Sequence, residues 1–197
     1  MKWSQLKTRV ESSFAASVKG RVQVWNTRYR GSHDSEGEAW ITVDGKRLWS
    51  MGSLSYMVAH GTEAVRIRAE RGCADWGHPE QRDGYRNAWE EAQAKTHADG
   101  CFAMWDVNQA LFESLSLSID AAVTADNPII RAFALLDRRC GKRRLRAFDD
   151  SQEHPLVRAL YRFRCGAEGM KPEPERVGGE GSGSAGTPPK QIGRAHV

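Results

Sequence analysis

The dipeptide Asp44-Gly45 constrains the fold of this chain more than any other feature. It separates two runs rich in strand-forming residues, EAWITV and KRLWSM. A two-residue type I′ hairpin loop needs positive φ at both positions, and Asp-Gly is one of the few dipeptides that accepts this. We therefore predict an antiparallel hairpin. The preceding run, RVQVWNTRYR, alternates in the same way and predicts a third strand.

The length of a hairpin loop fixes the register of its two strands. The predicted pairs are Val43 with Lys46, Thr42 with Arg47, Ile41 with Leu48, Trp40 with Trp49 and Ala39 with Ser50. Successive side chains of a strand point to opposite faces of the sheet. This register therefore places Ile41, Val43 and Leu48 on one face. It places the Trp40/Trp49 pair on the other face, with Thr42, Arg47 and Met51.

Both faces of the predicted sheet hold large apolar groups, and this leaves two arrangements open. In the first, helices cover both faces. In the second, one face is an open aromatic platform that suits the stacking of single-stranded bases. The side chains of that platform are Trp25, Trp40 and Trp49, with Arg21, Arg28, Arg30 and Arg47 around them. We favour covered faces, because Trp and Tyr are more often buried than displayed.

Helical patterns flank the sheet on both sides along the chain. A first helix is predicted from about Ser4 to Val18, with Gly20 as its end. Asn127 and Pro128 form a typical helix start, and Gly141 marks the end of that helix. The last helix is predicted from Pro155 to Arg164. The fold class is α+β, a small antiparallel three-stranded sheet packed against about five to six helices.

The composition changes near Gly169. We predict a single α+β domain over residues 1–168 and a disordered tail over residues 169–197, since the tail is rich in Pro, Gly, Ser and Glu and lacks aromatic residues. The last six residues, IGRAHV, resemble the translation of a common sequencing adapter. We expect them to be non-native and leave them out of fold reasoning.

The composition indicates the cellular location of the protein and the state of its cysteines. There is no run of about 18 apolar residues, so no membrane span is predicted. The first residues lack the apolar segment of a secretory signal, which predicts a cytoplasmic protein. The four cysteines lie far apart, which predicts free thiols. We expect neither a metal nor a cofactor.

The charge is concentrated in one segment. The run DRRCGKRRLR has a net charge of +5, against +4 for the whole chain. Its cations Arg138, Arg139, Lys142, Arg143 and Arg144 straddle a predicted helix end, and they suit binding of phosphates or another anion. Arg28 and Arg30 are further candidates for the same role. Alternatively, these cations complement the macrodipole at a helix C-terminus, and Arg138 or Arg139 pairs internally with Asp137 or with a carboxylate of the sheet.

A second pattern is His33-Asp34, in the loop that follows TRYR. A His/Asp pair can hold a divalent metal or activate a water, and Arg28 or Arg30 can stabilise charge that develops on a phosphate. An adjacent His-Asp pair is a weak signal by itself, and a loop whose Asp bonds local backbone is the simpler interpretation. The common hydrolase and nucleotide-binding motifs are missing from the sequence.

Four blocks carry a family resemblance: KWSQLKTRVE, TRYRGSHDSEGEAWITVDGK, NPIIRAFALLDRRCGKRRL and LVRALYRFRCGAEG. The chain resembles a family of small, uncharacterised bacterial proteins that share these blocks. The resemblance covers roughly residues 1–169. It implies a single bacterial domain, and no activity comes with it.

The leading functional hypothesis is a non-enzymatic binding protein whose basic segment contacts an anionic partner such as nucleic acid. The first alternative is a metal-dependent phosphodiester hydrolase that uses His33 and Asp34. The second alternative is a protein–protein interaction module with an exposed aromatic patch. The sequence does not indicate an oligomeric state.

Overall fold

The computed structural model describes residues 1–31 and 36–170. Within these ranges the chain forms one antiparallel sheet in the order β1-β2-β3 and eight α-helices, which confirms the α+β class. The strands are β1 (Val22–Arg28), β2 (Gly37–Val43) and β3 (Lys46–Gly52). The helices are α1 (Trp3–Ser13), α2 (Ser53–Arg71), α3 (Arg82–Ala98), α4 (Met104–Ser114), α5 (Ile119–Val123), α6 (Pro128–Leu136), α7 (Lys142–Ala147) and α8 (Pro155–Ala167). A short 3-10 helix, Pro79–Gln81, precedes α3.

The predicted hairpin turn is confirmed, but most of the predicted register is wrong. Asp44 has φ of 48° and Gly45 has φ of 77°, as a type I′ loop requires. The first two predicted pairs are present, and the register then shifts by one residue between Thr42 and Ile41. Leu48 is the extra residue of this β-bulge, so Ile41 pairs with Trp49.

The bulge changes which side chains reach the core. The buried face of the sheet carries Val22, Val24, Ala39, Ile41 and Met51. Trp49 lies on this face too, partly buried, and its Nε1 donates to the carbonyl of Gly100 at 3.2 Å. Trp40 pairs with Ser50 instead of Trp49. The predicted Trp40/Trp49 pair and the predicted positions of Leu48 and Met51 are therefore wrong.

The outer face of the sheet is open to solvent. Trp25 is 37% exposed, and Trp40 beside it is only partly buried. Leu48 is also exposed. The prediction that helices cover both faces is therefore wrong.

Helix α6 is the centre of the core. Seven of its nine residues are buried, and its main neighbours are α8, α4 and α5. Its start is as predicted: the Asn127 side chain accepts the backbone N–H groups of Ile129 and Ile130, and Pro128 occupies the first helical position. Its end is earlier than predicted, at Leu136.

Backbone hydrogen bonds tie the ends of α1 and α6 together. Helix α1 stops at Ser13 rather than at the predicted Val18, because Phe14 is extended and bridges to Asp137. The Ala15 N–H donates to the carbonyl of Leu136, and the Arg138 N–H donates to that of Ser13, each at 2.9 Å. Gly141 does not end α6. It precedes α7, a short helix that the sequence did not predict.

An ion pair on α1 protects the free edge of the sheet. Val24 of β1 is fully buried, and its N–H and carbonyl point away from β2. The Glu11 carboxylate accepts the Val24 N–H at 2.9 Å, and the Lys7 ammonium donates to the Val24 carbonyl at 2.7 Å. Lys7 and Glu11 also pair with each other. These two side chains act as a local substitute for a fourth strand.

Helices α2 and α3 form an antiparallel arm with a small core of its own. That core consists of Ala64, Ile67, Ala88 and Ala92. With 19 residues, α2 is about 28 Å long. It packs mainly on α3, with fewer contacts to β2 and β3.

Three further predictions concern a membrane span, the cysteines and the C-terminal tail. No helix in the described part of the chain is long and apolar enough to cross a bilayer. All four cysteines are free thiols, and three of them, Cys73, Cys140 and Cys165, are buried. The predicted tail lies almost wholly outside the described residues.

Replacing Glu11 by Ala should destabilise the fold by about 1–2 kcal/mol, because the buried Val24 N–H loses its acceptor. Chemical denaturation measures this change. The matched control is Glu70→Ala, which breaks an exposed i,i+4 pair with Arg66 and should cost much less. Equal effects of the two substitutions would contradict the assigned role of Glu11.

Candidate functional site

The structure places the sequence-predicted site residues in separate regions. His33 and Asp34 lie outside the described residues. Arg28 lies at the end of β1 opposite Gly37, where Met104 begins α4, and Arg30 follows shortly after it. Arg138 lies at the other end of α4. Because α4 has 11 residues, the two arginine groups are roughly 15 Å apart along it.

A cleft of about 350 Å³ marks the place where three helices end. It is formed by the last turns of α1 and α6, the end of α4, and the residues that follow α6. Its lining residues are Arg9, Val10, Ser12, Ser13, Phe14, Ser114, Leu115, Ala122, Phe133, Ala134, Asp137, Arg138 and Arg139. The basic segment predicted from the sequence therefore borders a concave surface.

Asp137 holds Arg139 in a fixed position. The Asp137 carboxylate is only 6% exposed and accepts the Arg139 Nε at 3.1 Å, Nη2 at 3.0 Å and backbone N–H at 2.8 Å. The remaining Arg139 nitrogen, Nη1, donates to the carbonyl of Leu117 at 3.1 Å. The hydrogen bonds from Asp137 raise the pKa of Arg139. The alternative that this arginine pairs internally is confirmed.

Two further cations of the segment also have partners. Lys142 lies 3.5 Å from the Glu168 carboxylate and donates to the Glu168 carbonyl at 3.3 Å. Arg144 donates to the Asp120 carboxylate at 2.7 Å and 3.0 Å. A hydrogen bond from the Ser17 hydroxyl, reinforced by nearby cations including Lys142, lowers the pKa of Glu168. These pairs leave Lys142 and Arg144 little free charge for a ligand.

Four arginines of this region have side chains without an ion pair or hydrogen bond among residues 1–31 and 36–170. They are Arg9, Arg138, Arg143 and Arg146, and all four are exposed. We call them the free-arginine surface. Arg138 and Arg143 were predicted from the sequence. Arg9 was missed because nothing local in α1 indicates its position, and Arg146 was missed although it belongs to the same basic run.

The charges at the helix ends determine how strongly the cleft attracts an anion. Each helix C-terminus carries about half a negative charge, so three of them offset about one and a half cations. Arg9, Arg138 and Arg139 bring three positive charges and Asp137 brings one negative charge. The cleft is therefore nearly neutral. The surplus positive charge lies on α7, at Arg143 and Arg146.

The serine hydroxyls of the cleft do not add donors for an anion. The Ser12 hydroxyl donates to the carbonyl of Arg9 and the Ser114 hydroxyl donates to that of Leu111, each at 2.8 Å. Donation to a ligand would require breaking these bonds. The guanidinium groups are the groups here that have donors to spare.

The open aromatic face of the sheet is occupied by the protein's own cations. The Trp25 and Trp40 rings are nearly parallel, at 15° and with centroids 6.3 Å apart. The Lys7 ammonium lies 4.4 Å from the centroid of Trp25, and the Arg47 guanidinium lies 4.6 Å from that of Trp40. Across the sheet the order is therefore cation, ring, ring, cation. A nucleobase would have to displace Lys7 or Arg47 to stack on this row.

A larger cleft of about 790 Å³ lies where α6 and α8 begin. Two of its ionisable groups, Asp106 and His154, hold the starts of α4 and α8. Asp106 accepts the Ala103 N–H at 2.8 Å and the His97 ring at 3.1 Å. The His154 Nδ1 accepts the Leu156 N–H at 3.1 Å, so its Nε2 carries the proton and donates to the carbonyl of His97 at 3.1 Å.

The histidines inside the fold have structural roles. His60 is buried and bonds to the carbonyl of Trp89 at 2.9 Å. Over residues 1–31 and 36–170, no group of three or more His, Cys, Asp or Glu side chains is arranged to hold a metal ion.

Comparison with known proteins identifies a family for most of the chain. The sequence model of the SF0329 protein family matches residues 2–165. This range contains the whole free-arginine surface and its cleft. No curated protein and no solved structure matches the chain.

The stability of the fold should depend on the protonation of His154. Burial lowers the pKa of His154 below its ordinary value of 6.5, because desolvation penalises the charged ring. The neutral ring is the form that accepts the Leu156 N–H. The contribution of this group is therefore complete above pH 6.5. It is lost as the pH falls from there through the lower folded pKa.

His154→Asn keeps an acceptor at the start of α8 and removes the titration. Between about pH 7 and pH 5 the unfolding free energy of the wild type should fall more than that of the variant, because only the wild type must protonate this group. Urea denaturation across this range measures both proteins. Parallel curves would contradict the assigned role of His154.

Proposed function

We propose that this chain, which belongs to the SF0329 protein family by a match over residues 2–165, is a non-enzymatic protein that binds the phosphate backbone of nucleic acid. The observation that supports this most is the free-arginine surface. In the described part of the chain, the carboxylates of this region are already paired with Arg139, Lys142 and Arg144. Arg9, Arg138, Arg143 and Arg146 therefore keep guanidinium donors that no carboxylate of the described residues occupies.

Guanidinium groups suit this role for geometric reasons. Each presents N–H donors in a planar fork that matches two phosphate oxygens, and it stays charged at any cellular pH. The four arginines lie on three parts of the chain, at α1, at the end of α6 and on α7. A surface of this kind follows the repeating phosphates of a backbone better than it encloses one isolated anion.

The nearly neutral cleft predicts the character of the binding. Without an enclosed phosphate pocket, the affinity comes mainly from the release of counterions, which depends on salt and not on base sequence. The cation-capped Trp25/Trp40 row supplies no free ring face for unpaired bases. The proposal is therefore binding to duplex backbone in preference to stacking on single strands.

Arg138→Ala with Arg143→Ala should weaken binding to a 20-base-pair DNA by about tenfold or more at 50 mM salt. The slope of log K against log salt should become shallower by about two, since two phosphate contacts are lost. Fluorescence anisotropy over a salt series measures both quantities. The charge-matched control is Arg28→Ala with Arg30→Ala, which should leave both quantities nearly unchanged.

A second control removes a cation that is already paired. Arg144→Ala should have a smaller effect than the double substitution, because Asp120 already neutralises Arg144. Equal losses in all three variants would indicate a response to net charge alone and would contradict a defined surface.

Duplex DNA should bind more tightly than a single strand of the same length, because its charge density is higher and base stacking adds nothing here. Trp25→Ala should leave the affinity for the single strand unchanged, as titrations of both proteins can show. Tighter single-strand binding that Trp25→Ala abolishes would contradict this.

Incubating the DNA with the protein and Mg²⁺ or Mn²⁺ tests the hydrolase hypothesis. That hypothesis requires DNA cleavage that is lost in His33→Ala.

A further inference from the structure

An apolar stripe runs along the solvent side of α2. Leu54 is 49% exposed, Met57 46%, Val58 71% and Val65 64%. With Gly61 between them, these residues follow the three- and four-residue spacing of one helix face. Isolated exposed apolar residues are ordinary, whereas a continuous stripe of large ones indicates an interaction surface.

The stripe points away from the rest of the molecule. The residues of α2 that face α3 and the body are different ones: Ser53, Tyr56, His60, Ala64, Ile67 and Arg68, all buried. By the 100° turn per residue of an α-helix, the centres of the two sets lie about 110° apart around α2, and Met57 is at the border between them. The stripe is therefore accessible from Leu54 to Val65.

The structure of the monomer does not explain why residue 61, in the interior of α2, is a glycine. It lies in the middle of a 19-residue helix and lacks the positive φ that favours glycine elsewhere in this chain. A Cβ built at Gly61 would meet no other atom within 4 Å. Glycine weakens a helix interior, so its presence there needs another reason. Close approach of a second backbone would provide one.

We propose that this stripe pairs with the same stripe on a second copy of the chain, antiparallel, with the two-fold axis at Gly61. A closed two-fold pair places each surface against itself. The stripe satisfies this condition, since large residues lie on both sides of Gly61. In this register Met57 lies opposite Val65 of the partner subunit, and the two Gly61 residues bring the backbones together.

The charges along α2 favour a second copy over a charged foreign partner. The stripe has no charged side chain between Leu54 and Val65. Arg66, beside it, is already paired with Glu63 and Glu70. In the antiparallel register the Arg66 residues of the two copies would be about 15 Å apart along the helices, which exceeds the ~10 Å Debye length at 0.1 M salt.

The size of the stripe determines the expected affinity of the dimer. From Leu54 to Val65 it is only about 17 Å long, so the contact falls at or below the ~1,200 Å² low end of specific interfaces. We therefore expect a reversible dimer with a dissociation constant in the micromolar range. Such a dimer would carry two free-arginine surfaces.

Sedimentation velocity from about 5 to 500 µM tests the dimer on the full chain. The wild type should show a monomer–dimer equilibrium. Val58→Asp should weaken it at least tenfold. Phe112→Asp, at a residue on α4 that is 52% exposed, is the matched control and should leave it unchanged. A wild type that stays monomeric at 500 µM, or an equal effect of the two variants, would overturn the proposal.

Gly61→Gln separates association from folding. Glutamine is a better helix former than glycine and meets open space in the monomer, so thermal stability at low concentration should rise while dimerisation falls at least tenfold. Dimerisation as strong as that of the wild type would contradict the close backbone contact.

Cysteine cross-linking tests the register. Gly61→Cys should form an intersubunit disulfide under mild oxidation, because the two thiols would meet at the two-fold axis. Ala69→Cys should not, since the two thiols would be about 24 Å apart along the helices. Equal cross-linking of both variants, or none at Gly61→Cys, would overturn the antiparallel register. None of these measurements depends on nucleic acid. Their outcome is therefore independent of whether the proposed function is correct.

Discussion

Three helices, α1, α4 and α6, end at the same place, and this shared end determines much of the surface chemistry of the chain. The last carbonyl groups of a helix lack partners within it and carry partial negative charge. Backbone hydrogen bonds between Ser13 and Arg138 and between Ala15 and Leu136 hold two of these ends together. The cations of the basic run therefore have a structural role first, and only their surplus is available for a partner.

The strand predictions show where local sequence is sufficient and where it is not. The Asp44-Gly45 turn was predictable because few residues accept positive φ, and this restriction is local. The register beyond Arg47 was not, because a bulge at Leu48 brings Trp49 and Met51 onto the buried face. The helices and the opposite strands decide which side chains are buried, and a hairpin sequence contains neither.

The site predictions also contain one part that local sequence shows and another part that depends on the fold. A basic run is visible in the sequence, but which of its cations are free depends on distant carboxylates. Asp120 and Glu168, which pair with Arg144 and Lys142, are each more than 20 residues away along the chain. Arg9 joins the same surface only because α1 and α6 end side by side. Charge was therefore predictable from composition, whereas available charge required the fold.

We propose that the free-arginine surface is the part of this protein that contacts nucleic acid. The most direct measurement is a titration of the ¹⁵N-labelled chain with duplex DNA, followed by NMR at low and at moderate salt. Amide signals around Arg9, Arg138, Arg143 and Arg146 should shift, and they should return toward their free positions as salt is added. Shifts centred on the Trp25/Trp40 row or on Arg28 and Arg30, or no shifts at low salt, would contradict the proposal.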